Sequence, residues 1–193
     1  MKRIVVFASG SGTNAENIIK YFQKTEIASV TLLLSNNKKA KALERAKKLS
    51  VPFLVFTKGE MNNTDLIIKT LHRERPDLII LAGFLLKFPE HILTIFSNKV
   101  INIHPALLPK YGGKGMYGMH VHEKVIANCE KETGITIHYV NKNYDEGAII
   151  FQKSFLLSQN ETATSVADKI HDLEYKYFPR VIEQLLTSKV KIN

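Results

Sequence analysis

In Val100-Ile101-Asn102-Ile103-His104 two polar residues, two positions apart, interrupt an apolar run. If the run is a strand, Asn102 and His104 project from one side and Ile101 and Ile103 from the other. An amide donor beside an imidazole can hold a developing oxyanion and manage a proton, which acyl transfer requires. A hydrogen-bonded structural pair at a strand end would also satisfy two buried polar groups, so both readings stand on these residues alone. Asp145, in Tyr144-Asp145-Glu146-Gly147, lies just past a second strand-like run at 136–140, where a carboxylate could reach the same sheet end. A histidine with a nearby carboxylate forms a proton relay.

A second constellation is Ser9-Gly10-Ser11-Gly12-Thr13-Asn14, between an apolar run and a helical pattern. Glycines let backbone N–H groups approach a phosphate, and a helix N-terminus adds partial positive charge. The third glycine of the dinucleotide pattern and the Gly-Lys-Ser/Thr ending of a P-loop are missing, so one phosphate monoester suits the loop better. A plain turn capped by Thr13 or Asn14 is the other reading. His120-Val121-His122 resembles half a metal-ligand set but reads as a solvated helix start, and no metal is expected. His138 falls on an interior strand and is assigned a structural role. Cys129, the only cysteine, excludes an internal disulfide and reads as inert in a polar helical context.

These groups need a scaffold. Strand patterns cover residues 4–8, 30–35, 53–56, Leu78–Leu81, Val100–His104, 136–140 and 148–156. Helical patterns cover 14–24, 41–49, 65–74, 121–127 and the chain from about Ala163, interrupted near Pro179. Apolar strands alternating with amphipathic helices predict a parallel sheet covered on both faces, with a Rossmann-like first half. The short link around 145–147 predicts antiparallel pairing of the last two strands. The fold expected is a three-layer α/β/α arrangement, read as one domain over residues 1–193. Gly112, Gly113, Gly115 and Gly118 mark a mobile loop after the Asn–His strand.

Composition narrows the function. Hydrophobic residues make up 45% of the chain, which argues against disorder, and the longest apolar runs fall far short of the ~20 residues a membrane helix needs. The apolar run after Lys2 and Arg3 is too short for a signal peptide and reads as a first strand, and the single cysteine fits a reducing cytoplasm. The formal charge of +9 is spread over helical surface, as at Lys38, Lys39, Lys41, Arg45, Lys47 and Lys48, without interleaved aromatics. Nucleic acid is not the expected partner; anionic small molecules are.

Taken together the motifs resemble a known family. Asn102-Ile103-His104-Pro105-Ala106-Leu107-Leu108-Pro109 resembles a signature of the 10-formyltetrahydrofolate-dependent formyltransferases, and Gly134-Ile135-Thr136-Ile137-His138-Tyr139-Val140 with Asp145-Glu146-Gly147 resembles its second signature. The loop at 8–14 is similar to that of the branch acting on 5'-phosphoribosylglycinamide, and Leu81-Ala82-Gly83-Phe84 to the strand end beside its folate pocket.

The resemblance implies that Asn102, His104 and Asp145 carry catalysis, Gly12, Thr13 and Asn14 hold the phosphate, and Glu174 binds the ribose hydroxyls. Leu85, Leu86, Phe88 and the stretch Val140, Asn141, Lys142, Asn143, Tyr144, Glu146 and Gly147 would line the pterin pocket. Leu86 stands where the family often has arginine, and Lys142 and Asn143 occupy a loop that is often acidic. The implied reaction is direct transfer of formyl from 10-formyltetrahydrofolate, as co-substrate, to the amine of 5'-phosphoribosylglycinamide in purine synthesis. Related methionyl-tRNA formyltransferases carry a further C-terminal domain and formyltetrahydrofolate hydrolases an N-terminal one; neither is expected here.

Overall fold

A computed structural model of the protein describes residues 1–63 and 65–187. Seven strands form one sheet: β1 (Lys2–Phe7), β2 (Ala28–Ser35), β3 (Phe53–Val55), β4 (Leu78–Leu81), β5 (Val100–His104), β6 (Glu132–Tyr139) and β7 (Ile149–Leu156). Their order is β3-β2-β1-β4-β5-β6-β7. The β3-to-β5 part is parallel, whereas β5–β6 and β6–β7 are antiparallel. The helices are α1 (Thr13–Thr25), α2 (Lys41–Lys48), α3 (Lys58–Asn63), α4 (Leu66–Glu74), α5 (Glu90–Ile95), α6 (Met119–Ala127) and α7 (Ala163–Thr187).

The period-2 pattern of β1 sorts its side chains into two cores. Ile4, Val6 and Ala8 join Ile18, Ile19 and Phe22 of α1 and Ile170, Phe178 and Ile182 of α7 on one face. Val5 and Phe7 join Met61, Ile67, Leu71, Phe88 and Ile92 on the other. The three-layer expectation holds. Because β1 pairs with both β2 and β4, the strand order reverses beside its carboxyl end, and in open α/β sheets such a crevice is where ligands bind.

Four elements depart from the sequence expectation. The short helices α3 and α5 were not read from the sequence; each has six residues, too few for a clear period. Strand β6 begins at Glu132 rather than 136, since its pairing with β7 extends from Glu132 opposite Leu156. Helix α7 runs through Pro179 without interruption. Proline cannot donate to the carbonyl four residues back, that of Tyr175, but Asn17 Nδ2 of α1 donates to that oxygen at 2.9 Å. The freed acceptor is thus satisfied by a neighbouring helix instead of ending this one.

Candidate active site

At the carboxyl ends of β1, β4 and β5 lies a cavity of about 620 Å³, walled by the glycine loop, residues 82–85, the Asn–His strand end, the 113–118 loop and α7. On β5, Asn102 is half-buried and His104 is 3% exposed. The turn after them is pinned from β6 and β7. Thr136 Oγ1 donates to the Ala106 carbonyl at 2.7 Å and accepts from Leu108 N–H at 3.0 Å, while Gln152 Nε2 donates to the Leu108 carbonyl at 3.0 Å.

Asp145 reaches the pair from the β6–β7 connection. Its Oδ2 lies 3.6 Å from His104 Nδ1 and accepts from Gly113 N–H at 2.9 Å, and its Oδ1 lies 3.5 Å from Asn102 Nδ2. Burial would raise this carboxyl, but the His138 and His104 imidazoles and the Gly113 N–H outweigh it and hold the group below the usual carboxylate range. Burial pushes His104 below the usual histidine range, against the pull of the Asp145 charge and the Tyr111 carbonyl. That carbonyl lies 2.7 Å from His104 Nε2 and can only accept, so Nε2 carries the proton and Nδ1 faces Asp145.

His138 stands within this group. The antiparallel register sets it directly opposite Asn102. Its Nδ1 lies 2.8 Å from the Tyr139 carbonyl and must donate there, leaving Nε2 to accept from Asn102 Nδ2 at 3.1 Å. His138 therefore orients the Asn102 amide, and its Nε2 is 3.6 Å from Asp145. The sequence alone assigns it a structural role. The signal that would have placed it is the register, since cross-strand neighbours share a face.

The phosphate-loop candidates converge on the same cavity. Helix α1 begins after Gly12 in the left-handed conformation (φ 71°) with no side-chain cap, so the Thr13 or Asn14 cap is not formed. A Cβ on Gly12 would sit 2.5 Å from Ala42 of α2, so glycine is also required by packing. Asn14 Nδ2 instead donates at 2.8 Å to Glu174, a buried carboxyl that burial raises against the Asn14 hydrogen bond and the His171 charge. Asn14 Oδ1 has no partner.

The pterin-pocket candidates divide. Leu85 and Tyr144 line the cavity together with Phe84, Met116 and Tyr117. Phe88 is packed into the core against Phe7 and Phe84, and Leu86 and Val140 lean on the same core. Asn141, Lys142 and Asn143 are exposed, with Asn143 bonded within its own loop to Asn141 and Glu146. Gly147 passes so close to the Tyr139 carbonyl that a Cβ would lie 1.7 Å from it, a structural demand. None of these eight residues, Glu146 included, lines the cavity.

Two further expectations are corrected. His122 is buried, 3% exposed, rather than solvated at a helix start: it occupies the inward position beside Val121 and Val125. Cys129 lies past the end of α6 with φ 50°, exposed and outside any helix. Among the described residues no helix is long and apolar enough to cross a membrane, and no three His, Cys, Asp or Glu side chains form a candidate metal group.

Comparison with known proteins agrees with this geometry. A family model described as formyl transferase matches residues 2–182. A phosphoribosylglycinamide formyltransferase of Bacillus subtilis is 36% identical over 96% of this chain and 95% of its own length. The chloroplastic phosphoribosylglycinamide formyltransferase of Vigna unguiculata is 33% identical over 98% of this chain, which spans 62% of that longer protein. The crystal structure of phosphoribosylglycinamide formyltransferase from Bacillus halodurans superposes with a TM-score of 0.85 at 32% identity, covering 97% of this chain and 96% of the other. With the family matched across nearly all of its sequence, the chain belongs to the formyl transferases.

Proposed function

We propose that the chain transfers the formyl group of 10-formyltetrahydrofolate to the amine of 5'-phosphoribosylglycinamide, as one domain acting in the cytoplasm on small molecules. The observation that carries this reading is the convergence of Asn102, His104 and Asp145 on a cavity that also holds an uncapped helix N-terminus and a buried carboxyl at Glu174. The N–H groups at Gly12, Thr13 and Asn14 suit the phosphate, and Glu174 with Asn14 suits vicinal hydroxyls. Phe84, Leu85 and Tyr144 offer an apolar wall to a flat pterin.

The amine nitrogen attacks the formyl carbon, forming a C–N bond while the carbonyl electron pair moves to oxygen. Asn102 Nδ2 donates to that oxyanion, an effect worth about 3 kcal/mol per donor in comparable sites. Asp145 and His104 Nδ1 receive the proton shed by the attacking nitrogen. They return it to the leaving folate nitrogen as the oxyanion re-forms the carbonyl and the C–N bond to folate breaks, and no enzyme-bound acyl group forms. The test is incubation with 10-formyltetrahydrofolate, with and without the amine. Tetrahydrofolate release should require the amine; equal release without it would mean hydrolysis and overturn the proposal.

A further inference from the structure

The cavity wall depends on a residue whose side chain points away from it. Tyr111 follows the pinned turn with a left-handed backbone (φ 57°), unusual for a non-glycine residue. Its carbonyl accepts from His104 Nε2 at 2.7 Å. Its hydroxyl, at the other end of the residue, donates to Glu130 Oε1 at 2.8 Å and accepts from Asn128 Nδ2 at 2.8 Å. Lys110 holds the same Glu130 through both oxygens, at 3.0 and 3.1 Å. Both Asn128 and Glu130 lie in the segment joining α6 to β6, outside the cavity lining.

Two residues on, Gly113 N–H reaches Asp145 Oδ2 at 2.9 Å. Between them the chain crosses Gly112, where a Cβ would lie 2.6 Å from Leu108 Cδ2 and 3.2 Å from Asp145 Cβ. One tripeptide therefore contacts both partners of the relay, and its only side-chain anchor is the tyrosine hydroxyl.

We infer that Tyr111 is a positioning residue: clamped at its hydroxyl by Glu130 and Asn128, it presents the backbone carbonyl that fixes the tautomer of His104 and leaves Nδ1 for the reaction. A neutral histidine has one N–H and one lone pair, and the partner of one nitrogen decides the role of the other. Without the Tyr111 carbonyl the proton is free to move to Nδ1, where Asp145 attracts it, and the nitrogen facing the cavity would no longer accept. The catalytic consequence rests on the proposed formyl transfer; the tautomer does not.

The test uses the full chain labelled with 15N-histidine, the His104 signals being identified by their loss in His104→Gln. The parent protein should show a fixed Nε2–H tautomer, and Tyr111→Phe, which deletes only the hydroxyl, should show averaged nitrogen shifts. In turnover, Tyr111→Phe should lower kcat about tenfold with each KM within about twofold. The acid limb of the kcat–pH profile should move to lower pH, because one of the two influences raising His104 is weakened. The groups facing that ring are Asp145, His138 of β6, His122 of α6 and the Tyr111 carbonyl itself.

Glu130→Ala should reproduce these changes, and Glu130→Gln, which keeps an acceptor oxygen, should restore most of the parent behaviour. This pair also decides the matter if Tyr111→Phe does not fold. An unchanged His104 tautomer and pH profile in folded Tyr111→Phe or Glu130→Ala protein would overturn the inference. Since the nitrogen shifts need no substrate, failure of formyl transfer in the parent protein would count against the proposed function alone.

Discussion

Asp145 Oδ2 accepts from the Gly113 N–H, and the imidazoles of His104 and His138 each lie 3.6 Å from the carboxylate. Asp145→Asn keeps the shape but removes the charge, and its amide cannot take up the shuttled proton. We expect kcat to fall by about 10²–10⁴ while affinity for the ribonucleotide, measured by calorimetry, stays within about threefold. Near-normal kcat in folded protein would remove Asp145 from the relay. At this scale Asn102, His104 and Asp145 were legible as residue types with reactive spacing, and the family resemblance sharpened them. His138 was not legible as a neighbour of Asn102, because nothing in a strand's own sequence fixes which partner residue lies opposite. Tyr111 was invisible for another reason: its contact with His104 is made by backbone.

Helices α1 and α7, which border the proposed ribonucleotide side of the cavity, are joined by the Asn14–Glu174 hydrogen bond. Burial raises the Glu174 carboxyl above its unfolded value of 4.5, against the Asn14 bond and the His171 charge. A raised carboxyl stabilises the fold fully only below the unfolded pKa, and that contribution is lost as pH rises through the folded one. Glu174→Gln should therefore leave Tm nearly unchanged below about pH 4 and raise it by about 2–4 °C at neutral pH, while KM for the ribonucleotide increases. A neutral-pH Tm below that of the parent would show that the ion contributes more than its burial costs. The strand and helix order was readable because apolar runs and 3.6-residue patterns are local. The course of α7 past Pro179 was not, since the acceptor freed by proline is bonded by a residue 158 positions away.

For the whole molecule, the buried histidines set a limit on the acid side. Burial, helped by the charges of His171 and His104, lowers His122 from 6.5 to about 4, so the unfolded chain takes up its proton first. Stability should then fall as pH drops from about 6.5 to about 4 and level off below that, as far as this residue is concerned. His122→Leu should flatten much of the slope of Tm against pH in that window, His104 contributing the remainder. An unchanged slope would show that His122 is solvated in solution. The three-layer architecture was legible from the alternation of patterns, whereas the meeting of glycine loop, Asn–His strand and α7 at one cavity depends on strand order, which local patterns do not encode.

The bond from Asn17 to the Tyr175 carbonyl makes Pro179 a spacer between two helices. It uses the acceptor that the proline leaves free and adds to the bonds of Asn14 to Glu174 and Tyr21 to Glu183 that set α1 along α7. By withholding one N–H, the proline frees that acceptor for Asn17 and so contributes to how α1, and the loop at Gly12, stand against α7. On the proposed function, that spacing bears on the length of sugar phosphate that fits between them. Pro179→Ala should keep or raise Tm through better helix propensity, yet raise KM for the ribonucleotide and relax discrimination against analogues with a longer spacer between ribose and phosphate. Unchanged discrimination would mean that the Asn14–Glu174 contact alone holds the measure.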